Sequence, residues 1–376
     1  MVAPVLGFPR DKGHASDVDS PAPTDAPKTV DALIKRAETV GASDVHLQTT
    51  PTGLNVMFRM DGLLAKVEDF EGELAERIRG RIKYLAKLQT WQDAVPQDGR
   101  IPKDEVKARK DIRVATYPTV TGEKIVLRLF QQTEVPTLDA LNHTSGVAEQ
   151  LRHLLAQPAG LLLLTGPAGG GKTTTIYACI NELMSSGDRH IITIEDPVEQ
   201  VISGVMQTEV NEAQGLDYPK AARHLLRQDP QVLVLGEVRD DETAQIAVRT
   251  ALTGHLVIST LHAGSCRGVF ERLWTMVPDP FTVASSVSLV INQRLVRSFC
   301  ESCAGKGCAD CLDTGFRGRV PISEWVKVDD HLRDNLRKSG PSIVEPSGGS
   351  LSKQAFTLVE QGVTSEAEIQ RVTGTG

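Results

Sequence analysis

The stretch LLLLTGPAGGGKTTT, residues 161–175, constrains the fold of this chain more than any other. The four leucines predict a buried strand, and TTTIYACINELM after the lysine predicts a helix. Between them, Gly166 and the triplet Gly171, Lys172 and Thr173 have the spacing of a P-loop. The alternative is a glycine-rich turn with an incidental lysine, which the flanking strand and helix disfavour. The stretch therefore predicts a nucleotide-binding α/β fold.

Each residue type in this loop suits a phosphate ligand. Glycine backbone amides converge on phosphate oxygens, and the positive end of the following helix adds to the attraction. We expect Lys172 to reach the β and γ phosphates and the Thr173 hydroxyl to bind Mg²⁺, which predicts ATP and Mg²⁺ as ligands. The predicted nucleotide-binding residues are Gly166, Pro167, Ala168, Gly169, Gly170, Gly171, Lys172, Thr173 and Thr174.

Length and charge narrow the class of protein. With 376 residues the chain is long enough for two or three domains. Its formal net charge of −7 provides no global basic field, so stable nucleic-acid binding is not expected. No apolar run approaches the roughly 20 residues that span a bilayer, and the first residues lack the features of a signal peptide. We expect a cytosolic protein.

The pattern of apolar residues predicts the domain organisation. From residue 147 onward, helical patterns alternate with the runs GLLLLTG, RHIITIED, QVLVLGE and GHLVISTLH, which predicts a parallel sheet covered by helices on both faces. Earlier in the chain we expect a helix at 30–40, strands at 44–49 and 54–60, a helix at 74–88, and strands at 111–118 and 123–130. The predicted division is a disordered tail (1–29), a small α/β domain (30–132), a linker (133–146), the P-loop domain (147–297) and a helical C-terminal region (298–376).

Two acidic groups follow predicted strands. Glu237 ends QVLVLGE, where a P-loop enzyme needs a carboxylate near its metal and the attacking water. The position usually held by an aspartate is Gly236, so we expect Glu237 to act on Mg²⁺ through water. Glu195, Asp196 and Glu199 in TIEDPVE follow another strand, where doubly wound sheets bind their ligands. The alternative for such residues is a helix cap.

Two histidines, His255 and His262, bracket the strand in GHLVISTLHA. Seven residues of extended chain would separate them by about 23 Å and place them on opposite faces. They therefore cannot share one ligand unless the chain bends. The alternative is that each is an ordinary polar core or surface residue.

The cysteines suggest a metal site. Two CxxC pairs, separated only by AGKG, can each present two thiolates to one tetrahedral zinc ion. The alternatives are reduced free thiols and a redox-active dithiol. Cys179 and Cys266 are expected to be small buried residues. The predicted zinc ligands are Cys300, Cys303, Cys308 and Cys311.

Taken together, these motifs resemble the secretion ATPases of type II secretion and type IV pilus assembly, of the GspE and PilB kind. The resemblance extends from about residue 42 to 328. Beyond the P-loop and the cysteines, it rests on ASDVHLQ, MFRMDG, PQDGRI, DIRVATYPTVTGEKIVLRL, TIEDPVE, LLRQDPQVLVLGEVRDDETAQIAVRTALTGHLVISTLHA, QRLVRSFC and TGFRGRVPISE.

The resemblance implies an α/β fold with a RecA-like P-loop ATPase domain, a smaller PAS-like amino-terminal domain and a helical C-terminal region that carries a zinc knuckle. It implies a homo-hexameric ring in which ATP binds between the two domains. Glu195 and Glu237 would polarise the attacking water and organise Mg²⁺, and the histidine box, His255 and His262, would sense nucleotide. Arginines of the amino-terminal domain would approach the nucleotide, although each is equally interpretable as a strand-surface residue; the candidates are Arg59, Arg113 and Arg128.

The implied partner is an inner-membrane platform protein, which places the ring at the cytoplasmic face of the inner membrane. A tetracysteine element is typical of assembly-type members and absent from retraction motors, although AGKG is shorter than the usual insert. The resulting hypothesis is an ATPase motor for pseudopilus or type IV pilus assembly. The alternatives are a DNA-uptake or tight-adherence motor of the same superfamily, and an ATP-gated scaffold with little turnover.

Overall fold

The computed structural model describes residues 25–129, 135–143, 146–187, 189–347 and 350–374. The chain divides into two compact units, residues 1–58 with 66–130, and residues 59–65 with 131–376. Most of the predicted disordered tail, residues 1–24, lies outside the described residues. Among the residues that the structure describes, no helix has the length and apolarity needed to cross a bilayer.

The first unit is built on a six-stranded sheet. Its helices are α1 (Ala26–Val40), α2 (Gly72–Leu85) and α3 (Lys103–Val106). Its strands are β1 (Asp44–Thr50), β2 (Gly53–Met60), β3 (Leu63–Glu71), β4 (Gln97–Ile101), β5 (Ile112–Thr119) and β6 (Gly122–Leu129). The strand order is β3-β2-β1-β6-β5-β4, with β6 antiparallel to β1 and to β5.

Local sequence explains these elements. In β2 every second residue is buried, as expected when one face of a sheet packs on a core. Helix α1 buries a stripe that includes Val30, Leu33 and Ala37, and it ends at Gly41, whose φ of 79° closes the last turn. All six elements predicted here are present. The predicted tail was too long, because α1 begins at Ala26 with a proline in its first turn.

The second unit is built on a seven-stranded sheet of order β13-β12-β7-β11-β10-β8-β9. Its strands are β7 (Gly160–Thr165), β8 (Ile191–Glu195), β9 (Met206–Glu209), β10 (Val232–Val238), β11 (Leu256–Leu261), β12 (Val287–Phe299) and β13 (Phe316–Lys327). Its helices are α4 (Val147–Leu155), α5 (Lys172–Ser185), α6 (Tyr218–Leu225), α7 (Asp241–Leu252), α8 (Cys266–Met276), α9 (Pro280–Ser286), α10 (Asp330–Ser339), α11 (Leu351–Glu360) and α12 (Glu366–Thr373).

The β7 leucines show why this sheet is buried on both faces. Leu161 and Leu163 belong to one hydrophobic cluster, whereas Leu162 and Leu164 belong to another. Successive side chains of a strand point to opposite faces, so an unbroken apolar run requires cover on both sides. The pairings of β12, β7, β11, β10, β8 and β9 are all parallel. The predicted parallel sheet is therefore present.

The C-terminal part of this sheet was not predicted. Residues 298–376 were expected to be helical, yet they contain β13, which pairs antiparallel with β12 over most of its length. Strand β12 also runs through the predicted boundary between residues 297 and 298. The burial patterns of β12 and β13 are irregular, so they do not show the alternation expected of strands. The cysteine segment also separates the two strands in sequence, so their pairing could not be recognised.

Candidate nucleotide site

The P-loop joins β7 to α5. Gly166, Gly169 and Gly171 have φ angles of 134°, 71° and 82°, a region that favours glycine. A Cβ atom at Gly166 would lie 2.1 Å from the backbone oxygen of Gln293, which leaves no room for a side chain. The loop is therefore formed only because these positions are glycines.

Lys172 opens α5 and is buried against the loop. Its Nζ donates hydrogen bonds to the backbone oxygens of Gly166 and Pro167, each at 2.9 Å. Burial lowers the pKa of Lys172, and the negative charge of Glu237 opposes that shift. The ammonium is thus held inside the loop, close to a carboxylate on another strand.

A cavity of about 210 Å³ lies beside this lysine. Its lining includes five of the predicted site residues, which come from α5, from the carboxyl ends of β8 and β10, and from the segment after β11: Lys172, Thr173, Glu195, Glu237 and His262. The carboxyl ends of parallel strands meet at one edge of a sheet, where ligands of this fold type bind. The sequence motifs therefore converge on one place.

Glu195 is buried at the end of β8 and is held by three donors. Its Oε2 accepts from the Tyr177 hydroxyl at 2.6 Å, and its Oε1 accepts from Thr193 Oγ1 at 2.6 Å and from Gln207 Nε2 at 3.0 Å. Burial and the neighbouring Glu195 both raise the pKa of Tyr177, so its hydroxyl stays protonated and donates. This carboxylate has a fixed orientation at the cavity wall.

Glu237, at the end of β10, is held differently. One of its oxygens pairs with Arg239, and the other lies 3.3 Å from Nε2 of His262. Arg239 also reaches Asp196 Oδ2 at 3.2 Å, and its guanidinium lies 5.9 Å from the centre of the Tyr218 ring. The site thus contains a cluster in which one guanidinium is shared by two carboxylates, with one net negative charge.

The structure also accounts for Gly236. A Cβ atom at this position would lie 2.7 Å from the hydroxyl oxygen of Tyr218 and 3.2 Å from the backbone oxygen of Ile194. The space that an aspartate side chain would need is therefore filled by Tyr218.

The four cysteines form a compact cluster, with all four Sγ atoms within 4.8 Å of one another. Separations of 3.9, 3.8 and 3.7 Å are found for three pairs, Cys300 with Cys308, Cys303 with Cys311, and Cys308 with Cys311. Tetrahedral zinc with Zn–S bonds of about 2.3 Å requires sulfur atoms about 3.8 Å apart. The residues present fit this ion.

The short AGKG segment between the two CxxC pairs forms a tight turn. Gly305 and Gly307 have φ angles of 84° and 94°, and a Cβ at Gly305 would lie 2.7 Å from the Phe299 ring. The backbone amide of Gly307 donates to Cys303 Sγ at 3.3 Å, which fixes the sulfur atom relative to the turn. Burial alone would raise the pKa of Cys311, but hydrogen bonds, first from the Cys308 backbone, lower it to about 7.

Comparison with known proteins identifies the family. The profile described as "Type II/IV secretion system protein" matches residues 22–371. The chain belongs to this family. The type II secretion system ATPase E of Vibrio cholerae serotype O1 is 38% identical over 382 residues, which cover 93% of this chain and 76% of that protein. The type II secretion system protein E of Pseudomonas aeruginosa is 39% identical, with the same coverage of both chains.

Two solved structures share the fold of this secretion ATPase. The Legionella pneumophila ATPase DotB has a TM-score of 0.72 at 22% identity, covering 95% of this chain and 98% of its own. The pilus retraction motor PilT, solved with bound ADP, has a TM-score of 0.67 at 26% identity, covering 91% and 96%. The predicted family, the RecA-like α/β fold class and the assignment as an ATPase are confirmed.

One histidine of this secretion ATPase lies apart from the cavity. His262 follows the carboxyl end of β11 and lines the cavity, whereas His255 precedes the amino end of the same strand. His255 Nδ1 lies 3.1 Å from the backbone oxygen of Thr250. The structure does not bring the two histidines together, and a nucleotide-sensing role for His255 stays a prediction.

The three candidate arginines lie on the six-stranded sheet. Arg59 Nη1 donates to the backbone oxygen of Gly62 at 3.0 Å, and Arg128 Nε donates to Asp44 Oδ1 at 3.1 Å. Arg113 is the β5 residue paired in register with Arg128. Their predicted approach to the nucleotide stays a prediction.

Sequence reasoning missed three residues of the site: Arg239, Tyr218 and Gln293. Arg239 stands two positions after Glu237, and this spacing on a strand end was a usable signal. Tyr218 comes from α6 and contacts Gly236, whereas Gln293 comes from β12 and contacts the P-loop, and only the fold creates these two contacts. Cys179 and Cys266 are buried and free, as predicted.

Proposed function

We propose that this secretion ATPase hydrolyses ATP in the cavity beside Lys172 and that turnover drives assembly of a pseudopilus or type IV pilus. One observation carries the proposal: Lys172, Glu195 and Glu237 line a single cavity in a chain 38% identical to a type II secretion ATPase over 93% of its length. A phosphate-binding lysine and two carboxylates are the groups that P-loop hydrolysis requires.

The loop residues would bind the phosphates. Backbone amides of residues 168–171 and the amino end of α5 would face the phosphate oxygens, and Lys172 would exchange its two backbone carbonyl partners for phosphate. Bound Mg²⁺ would neutralise charge on the phosphates. The Thr173 hydroxyl would be its direct protein ligand, and Glu237 would act on it through water, since position 236 is a glycine and provides no carboxylate.

The two carboxylates would have separate roles. Glu237 is held from two sides by Arg239 and His262, both partly exposed, so these partners can release it toward an attacking water. Glu195 is held by three donors and would act as a fixed negative charge that orients this water. Arg239 would keep Asp196 as its partner when Glu237 is released.

The motor would work as a homo-hexamer on the cytoplasmic face of the inner membrane, with a platform protein as its partner. Closure of the amino-terminal domain would bring Arg59, Arg113 and Arg128 toward the nucleotide, and reopening after hydrolysis would displace the partner. Support comes from the relatives, which are type II secretion proteins.

A zinc ion would complete the cysteine cluster. Cys300, Cys303, Cys308 and Cys311 would be its ligands, since their sulfur separations suit tetrahedral coordination. The ion would cross-link the turn between β12 and β13, and zinc in the purified protein would support an assembly role over retraction.

The test is phosphate release by purified protein, wild type and Lys172→Ala. We expect Mg²⁺-dependent release from wild type and at least a hundredfold loss in the variant, because one electrostatic contact to the transferring phosphoryl group is worth about 10²–10³ in rate. The variant should also fail to restore secretion or pilus assembly in a strain that lacks the protein. Equal turnover by the two proteins would contradict the proposed site, and turnover without any effect on secretion or pili would contradict the proposed role.

A further inference from the structure

A buried amide, Gln293 on β12, lies under the P-loop and is only 2% exposed. Its Nε2 donates to the backbone oxygen of Gly170 at 2.8 Å. Its Oε1 accepts from Thr175 Oγ1, also at 2.8 Å. One side chain therefore ties the P-loop to the first turn of α5.

Gln293 also packs directly against three loop glycines. A Cβ at Gly166 would lie 2.1 Å, and one at Gly170 3.2 Å, from the Gln293 backbone oxygen. A Cβ at Gly171 would lie 2.7 Å from Gln293 Nε2. Gln293 therefore packs so closely against the loop that no side chain fits at these three positions.

The bond to Gly170 fixes the direction of one peptide group. In a trans peptide, the C=O of Gly170 and the N–H of Gly171 point in opposite directions. While Gln293 holds the carbonyl toward β12, the Gly171 amide points away from β12 and is available as a donor to phosphate. A flipped peptide would instead direct a carbonyl oxygen at the phosphate, which repels it.

The hydrogen-bond chain continues to His143 in the predicted linker. His143 Nε2 lies 3.5 Å from Thr175 Oγ1, and its Nδ1 lies 3.4 Å from Ser323 Oγ. Burial lowers the pKa of His143 to about 4, so the ring is neutral at pH 7 and has one donor and one acceptor nitrogen. Thr175 gives its hydrogen to Gln293, so we assign the His143 proton to Nε2, and Nδ1 accepts from Ser323.

We infer that Gln293 is a positioning residue that holds the P-loop in its phosphate-binding shape, and that His143 links this support to the linker segment. The inference rests on the proposed nucleotide site. It adds that the loop depends on an amide from β12, more than 120 residues along the chain from Gly170, and on a linker histidine.

The chain offers a matched control, Gln354 on α11. It is also buried, at 9% exposure, and its amide makes two hydrogen bonds with the Ser323 backbone, at 2.7 and 3.1 Å. Gln354 contacts the backbone of Ser323, whereas the network uses the Ser323 hydroxyl, which Gln354→Met leaves in place. Gln293→Met and Gln354→Met each remove buried hydrogen bonds and preserve volume, so both variants should lose unfolding free energy.

The experiment measures ADP affinity by titration of a fluorescent ADP, with thermal unfolding in parallel. Gln293→Met should weaken ADP binding at least tenfold, while Gln354→Met should stay within twofold of wild type. Equal affinities of the two variants would overturn the inference. Failure of wild type to bind ADP would instead contradict the proposed nucleotide site, so the two failures are distinguishable.

A second pair of variants covers the case in which Gln293→Met does not fold. Thr175→Ser keeps the hydroxyl that joins Gln293 and His143, whereas Thr175→Val removes it. Only the valine variant should weaken ADP binding, about threefold or more; equal affinities in serine and valine variants would count against the network.

The link to His143 is tested by a double-mutant cycle of Gln293→Met and His143→Ala on ADP affinity. Residues of one network are coupled, so the combined loss should fall short of the product of the single losses by at least threefold. A combined loss equal to the product would remove His143 from the inference and leave Gln293 alone.

Discussion

The nucleotide cavity and the cysteine cluster are built in opposite ways. The cavity takes its predicted groups from residues 172–262, which reach one place only because four parallel strands end at the same sheet edge. The cysteines lie at residues 300–311, and two short turns bring their sulfur atoms together. One site is assembled by tertiary structure, and the other by local sequence.

This difference governs how each site responds to damage. A cavity residue can lose its chemistry while the sheet that positions it persists, because strand burial and not the residue itself maintains the geometry. A cysteine ligand contributes to the stability of its own turn, since metal binding and local folding are coupled. Mutations in the cavity should therefore change turnover more than stability, and mutations in the cluster should do the reverse.

Within the cavity, Glu237→Gln is expected to show the largest effect on turnover without a matching effect on stability. The amide keeps the size of the side chain but cannot take a proton, so turnover should fall about 10²- to 10³-fold with little change in melting temperature. Single-turnover phosphate release and thermal unfolding provide the two measurements. If Glu237→Gln instead lowered stability by several degrees and left turnover intact, the carboxylate would be structural.

Substitutions of the two histidines are expected to change turnover less than Glu237→Gln does, and to differ from each other. His262 lines the cavity and contacts Glu237, so His262→Ala removes one of the two groups that orient this carboxylate, and turnover should fall about tenfold, which corresponds to about 1.4 kcal/mol in the barrier. His255→Ala serves as the comparison, with a smaller expected effect because His255 lies at the opposite end of β11. Steady-state kinetics at matched ATP concentrations compares them; a larger loss for His255 would point to a contact made only in the assembled motor.

The smallest effect on turnover is expected from Cys303→Ser. This variant should bind less than one zinc ion per chain and melt several degrees lower, while ATP turnover of the folded protein stays within about twofold of wild type. Metal analysis after purification without chelator, together with thermal unfolding, measures both changes. Full zinc content in the serine variant would show that Cys303 is not a ligand.

Chelation of wild type is the companion measurement. Removal of zinc should reproduce the lower melting temperature, and added zinc should restore it. A parallel loss of ADP affinity would show that the two sites are energetically connected and would contradict their independence.

The contrast also explains what the sequence could predict. The P-loop and the cysteines have spacings that follow from local geometry, and Glu195 and Glu237 each end a recognisable strand, so these positions could be predicted while their roles stay predictions. The contacts of Gln293 with the loop and of Tyr218 with Gly236 were not predictable, because each joins elements that only the fold brings together. Strand β13 was missed for the same reason: its partner is set by pairing across the cysteine insertion.

The contact between Tyr218 and Gly236 makes the two positions dependent on each other. An aspartate at position 236, the more usual arrangement in P-loop enzymes, would collide with the Tyr218 hydroxyl unless that ring moved or were replaced. Removal of the ring alone would leave an empty space beside β10, so each substitution by itself should cost stability. A chain redesigned to carry the usual aspartate therefore needs a smaller residue at position 218 as well.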